Sequence, residues 1–236
     1  MRLLVPALAV LFLAAPAQAA DEALAKACAR PASAEEGVEA CTRLIAEETE
    51  PARKAAAHNG RALAKARGGD LDGAVADFSE AVKLKPDYAE AFYNRANALD
   101  RSGRPDRAIA DYDKTIMLQP FMPQPYNNRC WVRAELNKEL DKALADCTQA
   151  LKLKADNPKA LDTRGFAHLR MGRNQDAVAD YDAALKLNPK LAASLYGRGV
   201  ARLRLGDGAG AAKDIAEARR LDVNVGVVFD RLGIKP

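Results

Sequence analysis

The chain has 236 residues, of which 49% are hydrophobic and 29% are charged, and its formal net charge is +4. So small a positive charge argues against nucleic-acid binding, which requires a strongly basic face. No apolar run approaches the length of a membrane span, so we expect no transmembrane helix.

The first residues have the features of an export signal. Arg2 precedes an apolar run from Leu3 to Ala15, and Ala17-Gln18-Ala19 has the small-x-small pattern of a cleavage site. We therefore predict a cleaved secretory signal peptide over residues 1–20 and an exported chain, either periplasmic or secreted. An uncleaved apolar anchor is the alternative.

The next part of the chain, residues 21–50, has the pattern of an incomplete helix pair. Helices are expected over 22–29 and 34–48, separated by Pro31, which cannot continue a helix. Ser33 and Glu36 have the spacing of a capping box at the start of the second helix.

A repeat follows. An alanine recurs at steps of 34, 35, 34 and 34 residues, at Ala74, Ala108, Ala143, Ala177 and Ala211. Four residues after each alanine stand Phe78, Tyr112, Cys147, Tyr181 and Ile215. An earlier small-residue column consists of Ala62, Ala96, Cys130, Gly165 and Gly199. A fixed period of about 34 residues indicates stacked helix pairs.

This pattern resembles the tetratricopeptide repeat (TPR) family, with five repeats over residues 55–222. The resemblance implies an all-α solenoid, a right-handed superhelix of antiparallel helix pairs. The third repeat has one extra residue, which we place in the turn between Leu136 and Leu140. Residues 223–236 are expected to form a C-terminal capping helix and tail that cover the last repeat.

Two charged columns run through the repeats. One consists of Arg61, Arg95, Arg129, Arg164 and Arg198, and the other of Asp77, Asp111, Asp146, Asp180 and Asp214. The arginine column departs from the common TPR consensus and resembles an exported bacterial subgroup whose first helix reads Asn-Arg-Gly. A buried arginine needs an acidic partner, so we expect the two columns to pair and to be architectural. A ligand-binding arginine ladder is the alternative.

Four cysteines in an exported chain suggest disulfides, and three pairings are possible. The TPR resemblance implies that Cys130 and Cys147 face each other across one helix pair. Cys41 occupies the corresponding second-helix site of the degenerate first repeat, which leaves Cys28 as its partner. A reactive thiol pair is the alternative, but no C-x-x-C motif supports it.

In TPR proteins the first helix of each pair lines the concave surface, and its fifth, ninth and thirteenth sites point inward. The predicted partner-binding groove comprises Tyr93, Asn97, Arg101, Asn127, Trp131, Phe166, Arg170, Tyr196 and Arg204. Tyr, Trp and Arg dominate binding energy at many interfaces, so we expect the four aromatic residues to be substantially exposed. Alternatively, Trp131 and Phe166 pack against a neighbouring helix or the terminal cap.

No catalytic motif, metal site or cofactor site is predicted, since His58 and His168 lie on different repeats and no phosphate-binding loop is present. We therefore predict a non-catalytic interaction module of the cell envelope that binds a peptide or protein segment. One alternative is a scaffold that self-associates through its end repeats or convex face. Another is polyanion binding through Arg67, Arg101, Arg170 and Arg204. The partner's identity and the oligomeric state stay open.

Overall fold

The computed structural model describes residues 14–235, with side chains described from residue 22 onward. Most of the apolar run of the predicted signal peptide lies outside the described residues. The described part contains thirteen helices and no strand. In chain order the helices are α1 (Ala14–Ala29), α2 (Ala34–Glu47), α3 (Pro51–Arg67), α4 (Leu71–Leu84), α5 (Ala89–Arg101), α6 (Pro105–Leu118), α7 (Pro123–Glu135), α8 (Leu140–Leu153), α9 (Pro158–Arg170), α10 (Asn174–Leu187), α11 (Ala192–Arg204), α12 (Gly208–Leu221) and α13 (Val225–Arg231).

The chain divides into two compact units at Ala108. In the N-terminal unit, α3 and α4 form an antiparallel pair that is preceded by α1 and α2 and followed by α5. In the C-terminal unit, which begins at Ile109, the pairs are α7 with α8, α9 with α10, and α11 with α12. Helix α13 follows the last pair.

Short turns join the two helices of each pair, and a left-handed residue closes most of them. Gly69, Gly103, Gly172 and Gly206 have positive φ angles between 72° and 90°. In the third repeat the turn is one residue longer, and Asn137 takes the left-handed conformation at φ 53°. The extra residue therefore lies where the sequence predicted it.

The small-residue column gives the second helix of each pair room to approach the first. A Cβ atom added to Gly165 would lie 3.0 Å from the Tyr181 ring, and one added to Gly199 would lie 2.7 Å from Ile215. In the third repeat the same two sites hold Cys130 and Cys147. This helix pair is therefore joined by a covalent bond where the others have a small residue against a large one.

Both disulfides agree with the predicted pairing. The Cα atoms of Cys130 and Cys147 are 5.5 Å apart, and those of Cys28 and Cys41 are 4.7 Å apart. Gly60 of α3 packs directly on the second bridge, because a Cβ atom there would lie 2.9 Å and 3.0 Å from the two sulfur atoms. The N-terminal bridge thus requires a glycine on the neighbouring helix.

The first helix is longer than the sequence predicted. It begins at Ala14 rather than at residue 22, so it runs through the predicted cleavage site. Alanine has the highest helix propensity, and the alanine-rich sequence of α1 accounts for the extension. The predicted start of α2 is confirmed, since Ser33 Oγ accepts a hydrogen bond from the Glu36 amide at 3.1 Å.

A search of the described helices for a membrane-spanning segment finds none with the necessary length and hydropathy.

Candidate partner-binding surface

The arginine and aspartate columns pair within repeats as predicted. Arg61, Arg164 and Arg198 each donate two hydrogen bonds of 2.6–2.9 Å to the aspartate of the same repeat, respectively Asp77, Asp180 and Asp214. Arg129 forms the same two-pronged contact with Asp146. Two parallel bonds to a carboxylate combine strength with a fixed geometry. In the second repeat, Arg95 donates to Ser79 Oγ at 3.1 Å.

Arg129 and Arg198 also reach back to the preceding repeat, a link that the sequence pattern did not predict. Arg198 contacts Asp182 at 2.6 Å, and Arg129 contacts Asp113. These acceptors stand two residues after the main aspartate column, a position that recurs with the same period. Each such arginine therefore links three helices from two consecutive repeats.

A second basic side chain, one turn beyond the column arginine, completes three of these clusters. Lys65 contacts Asp77 at 2.7 Å, Arg202 contacts Asp214 at 2.8 Å, and Arg133 contacts Asp146. Burial would raise the pKa of the Asp77 carboxyl, but hydrogen bonds from His58, Arg61 and Lys65 outweigh it and hold that pKa well below its ordinary value. The basic side chains of these clusters are therefore paired with carboxylates inside the fold.

In the C-terminal unit, the first helices α7, α9 and α11 pack side by side and form what we call the inner face. Here the structure corrects the expected exposure. Phe166 and Tyr196 are only 2% and 1% exposed, and Asn127 is 4% exposed. Trp131 is partly exposed and stacks on Phe166 with ring centroids 5.0 Å apart.

The chain's own end covers this face. We call residues 223–235 the C-terminal segment; it contains α13. The Phe229 ring lies 4.7 Å from the Tyr196 ring and 6.2 Å from the Phe166 ring, centroid to centroid. The segment therefore reaches beyond the last repeat to α9. Phe166 therefore packs against the terminal helix, as the alternative expectation from the sequence had it.

Two predicted groove arginines bind backbone carbonyl groups in this unit. Arg170 donates to the carbonyl oxygen of Leu232 in the C-terminal segment and, at 3.5 Å, to that of Glu135 at the end of α7. Arg204 donates to the Leu169 carbonyl oxygen at 3.2 Å. Burial lowers the pKa of Arg170, and the nearby charge of Arg204 lowers it further. Arg170 thus ties the segment to the inner face.

The first-helix face of the N-terminal unit is open by contrast. A pocket of about 320 Å³ lies between α3 and α5, and its lining comprises Leu63, Ala66, Arg67, Phe78, Asn94, Asn97, Ala98 and Arg101. Leu63 is 36% exposed, and Arg67 and Arg101 in the same lining are exposed as well. Of the predicted groove residues in this unit, Tyr93 and Asn97 are partly buried. The pocket thus combines apolar side chains with two exposed positive charges.

One carboxyl group on α9 has an unusual environment. Ser194 Oγ donates a hydrogen bond of 2.5 Å to Asp162, and Lys159 is the nearby cation. Burial raises the pKa of Asp162 to about 6, and the hydrogen bond from Ser194 opposes the rise only in part.

With the helix pairs and their faces defined, the comparison with family models identifies the repeat. Models of the tetratricopeptide repeat match residues 62–103, 89–122 and 163–222. The chain belongs to the tetratricopeptide repeat family.

Solved TPR structures share this fold. A tetratricopeptide repeat protein from Parabacteroides merdae superposes with a TM-score of 0.76 at 16% identity, over 91% of this chain and 86% of its own. YrrB, described as a TPR protein with an unusual peptide-binding site, gives 0.64 at 19% identity, over 82% and 99%. MamA from Desulfovibrio magneticus RS-1 gives 0.65 at 18% identity, over 72% and 96%. At these identities the likeness concerns the fold alone.

None of the curated proteins matches the chain significantly. In the part of the chain that the structure describes, no three His, Cys, Asp or Glu side chains are arranged to hold a metal ion.

Proposed function

We propose that this TPR protein is a non-catalytic interaction module of the cell envelope that binds a peptide or protein segment on its first-helix face. The observation that carries the proposal is the open pocket of the N-terminal unit. An exposed leucine that shares a pocket with two exposed arginines is a surface that a partner would cover, since removing water from apolar surface is favourable.

The partner chemistry follows from the lining. Leu63 and the adjacent alanines suit one apolar anchor side chain, while Arg67 and Arg101 favour acidic residues on either side of it. Because the two guanidinium groups lie at the rim in solvent, they contribute more to association rate and selectivity than to final affinity. We therefore expect a segment with an apolar residue flanked by Asp or Glu.

The envelope location rests on two features. The sequence begins with a basic residue, an apolar run and the small residues Ala17 and Ala19, which suit a secretory leader of residues 1–20. Both cysteine pairs are within disulfide distance, and disulfides persist in oxidising compartments. The arginine column fits the exported subgroup that the sequence resembles. The peptide-binding site reported for YrrB supports binding by this fold.

Capture of proteins from envelope extract by full-length protein and its variants tests the proposal. Leu63→Glu and Arg101→Glu alter the pocket and leave the repeat columns intact. Arg107→Glu is the control, because it makes the same charge change at an exposed site of α6. We expect the two pocket variants to lose about tenfold or more of the captured partner, a difference of about 1.4 kcal/mol or more, and the control to retain it. Equal capture by all variants would exclude this pocket.

A further inference from the structure

The C-terminal segment covers the aromatic inner face of the C-terminal unit, and its contacts describe what that face binds. We propose that the inner face of α9 and α11 is a binding site for a short amphipathic helix with an aromatic anchor, and that the C-terminal segment occupies this site as a displaceable ligand in cis. The proposal rests on the proposed function, because it assigns a second partner-binding face to the same module.

The buried side of the segment specifies the ligand. Val225, Phe229 and Ile234 are 3%, 5% and 3% exposed. The buried aromatic residue thus lies one helical turn after the buried Val225 and is followed by the buried Ile234. The Phe229 ring packs between Tyr196 and Phe166. A partner helix would therefore place its aromatic side chain between these two rings.

The end of the segment supplies a polar contact as well. Gly233 takes the left-handed conformation at φ 72°, and the Ile234 amide donates to the Phe229 carbonyl oxygen at 2.9 Å. This turn ends α13 and leaves the Leu232 carbonyl oxygen as the acceptor for Arg170. Arg170 thus recognises the carboxyl end of a bound helix, where the free carbonyl groups carry partial negative charge.

The attachment of the segment is limited, which makes it displaceable. A helix of seven residues does not form stably on its own, so α13 depends on the inner face for its structure. On its other side Val227 and Val228 are 56% and 43% exposed, and Val223 is 79% exposed. Elements held by few buried side chains open locally at lower cost than the helices beneath them.

The inner face also differs in composition from its counterpart in the N-terminal unit. At the ninth site the N-terminal unit has Leu63 and Asn97, whereas the C-terminal unit has Trp131, Phe166 and Val200. The aromatic residues of this column thus lie in the unit that carries the segment. A tethered ligand has an effective concentration in the millimolar range, so a partner in trans must bind substantially more tightly than the free segment does.

Titration of a synthetic peptide with the sequence of residues 222–236 into full-length protein tests the proposal. Trp131 is the only tryptophan and stacks on Phe166, so its fluorescence reports occupancy of the face. In the Phe229→Ala protein the cis anchor is lost, and we expect the peptide to bind about tenfold or more tightly than to the wild type. Val227→Ala is the control, since it removes an exposed aliphatic side chain from the same helix. A peptide carrying the Phe229→Ala change should not bind.

Hydrogen exchange of the wild-type protein gives a second, independent test. Amides of residues 226–232 should exchange at least about tenfold faster than core amides of α9 and α11, because the segment opens locally. Equal protection would show that the segment is an integral part of the last repeat and would overturn the proposal. So would a folded Phe229→Ala protein that fails to bind the peptide, or a dimer formed by exchanged C-terminal segments on size-exclusion chromatography. None of these results depends on the Leu63 pocket, so each proposal can fail alone.

Discussion

At the level of single residues, the arginine columns distinguish two kinds of buried carboxylate. Asp146 contacts both Arg129 and Arg133, whereas among the described residues Asp180 contacts Arg164 and, at 3.7 Å, His168. Removing the column arginine therefore leaves Asp146 with a close guanidinium group and Asp180 with the more distant His168. The cost of a buried charge depends on what remains around it.

Arg164→Ala should accordingly destabilise the protein by about 3 kcal/mol, because it leaves a buried carboxylate without a close cation. Arg129→Ala should cost less, since Arg133 stays in contact with Asp146. Urea unfolding of the two variants measures the difference. The reverse order would mean that the link to the preceding repeat, which Arg129 makes and Arg164 lacks among its described bonds, matters more than the stranded charge.

Asp162 gives a pH prediction. Its pKa in the folded chain is about 6, above the ordinary 3.8, so the folded state holds the proton more tightly than the unfolded state does. This contribution to stability is complete below about pH 4 and is lost as the pH rises through about 6. Asp162→Asn should therefore gain stability relative to wild type between pH 4.5 and pH 7.5, as measured by urea unfolding at about those two values. A pH-independent difference between the two proteins would contradict the buried position of this carboxyl group.

Gly60 tests the packing around the N-terminal disulfide. Gly60→Ala forces a methyl group against both sulfur atoms and should cost about 1–3 kcal/mol, as overpacking does. Gly208→Ala is the matched control, because a Cβ atom at this helix start meets nothing within 4 Å. Thermal unfolding of the oxidised proteins compares them, and equal melting temperatures would rule out the tight contact.

At the level of helices, the disulfide of the third repeat occupies two sites that hold a small residue and an aromatic residue in other repeats. The second repeat has Ala96 and Tyr112 at the sites that hold Cys130 and Cys147 in the third, and both residues are buried. Reduction of the wild-type disulfide should lower stability by about 3 kcal/mol on the basis of loop closure. In the variant Cys130→Ala/Cys147→Tyr, reduction should remove only the stability that the N-terminal disulfide contributes, because the second disulfide is absent. A variant that cannot fold would show that the longer turn of the third repeat requires the covalent link.

The helices could be predicted from the sequence because their determinants are local and repeat. The alanine and small-residue columns, the turn glycines and the cysteine sites each recur at a fixed period, so one repeat explains the others. The exposure of Phe166 and Tyr196 could not be predicted in this way. It depends on α13, which follows the last repeat and has no counterpart elsewhere in the chain.

The sequence predicted a terminal helix that covers the last repeat, but not that this helix also reaches Phe166 of α9. A capping helix and a helix on the inner face have the same apolar pattern. What decides between them is the tertiary contact of Phe229 with Tyr196 and Phe166 and of Arg170 with the segment. Those contacts involve residues of other helices, so the sequence of α13 alone does not predict them.

At the level of the whole molecule, the two units offer different surfaces to partners. The N-terminal unit presents an open pocket with Arg67 and Arg101 at its rim, and the C-terminal unit presents an aromatic face under its own C-terminal segment. An acidic segment with an apolar anchor suits the first, and an amphipathic helix suits the second. We propose that the partner meets the face formed by the first helices of the pairs rather than the second helices.

Site-specific photo-crosslinking in the native cell tests this claim most directly. A photoreactive amino acid at position 63 lies in the open pocket, and the same amino acid at position 107 lies on the exposed side of α6. We predict a discrete adduct with another polypeptide from position 63, weakened when Arg101→Glu is present in the same chain, and no such adduct from position 107. Adducts from position 107 alone, or only multimers of the protein itself from either position, would contradict it and favour a self-associating scaffold.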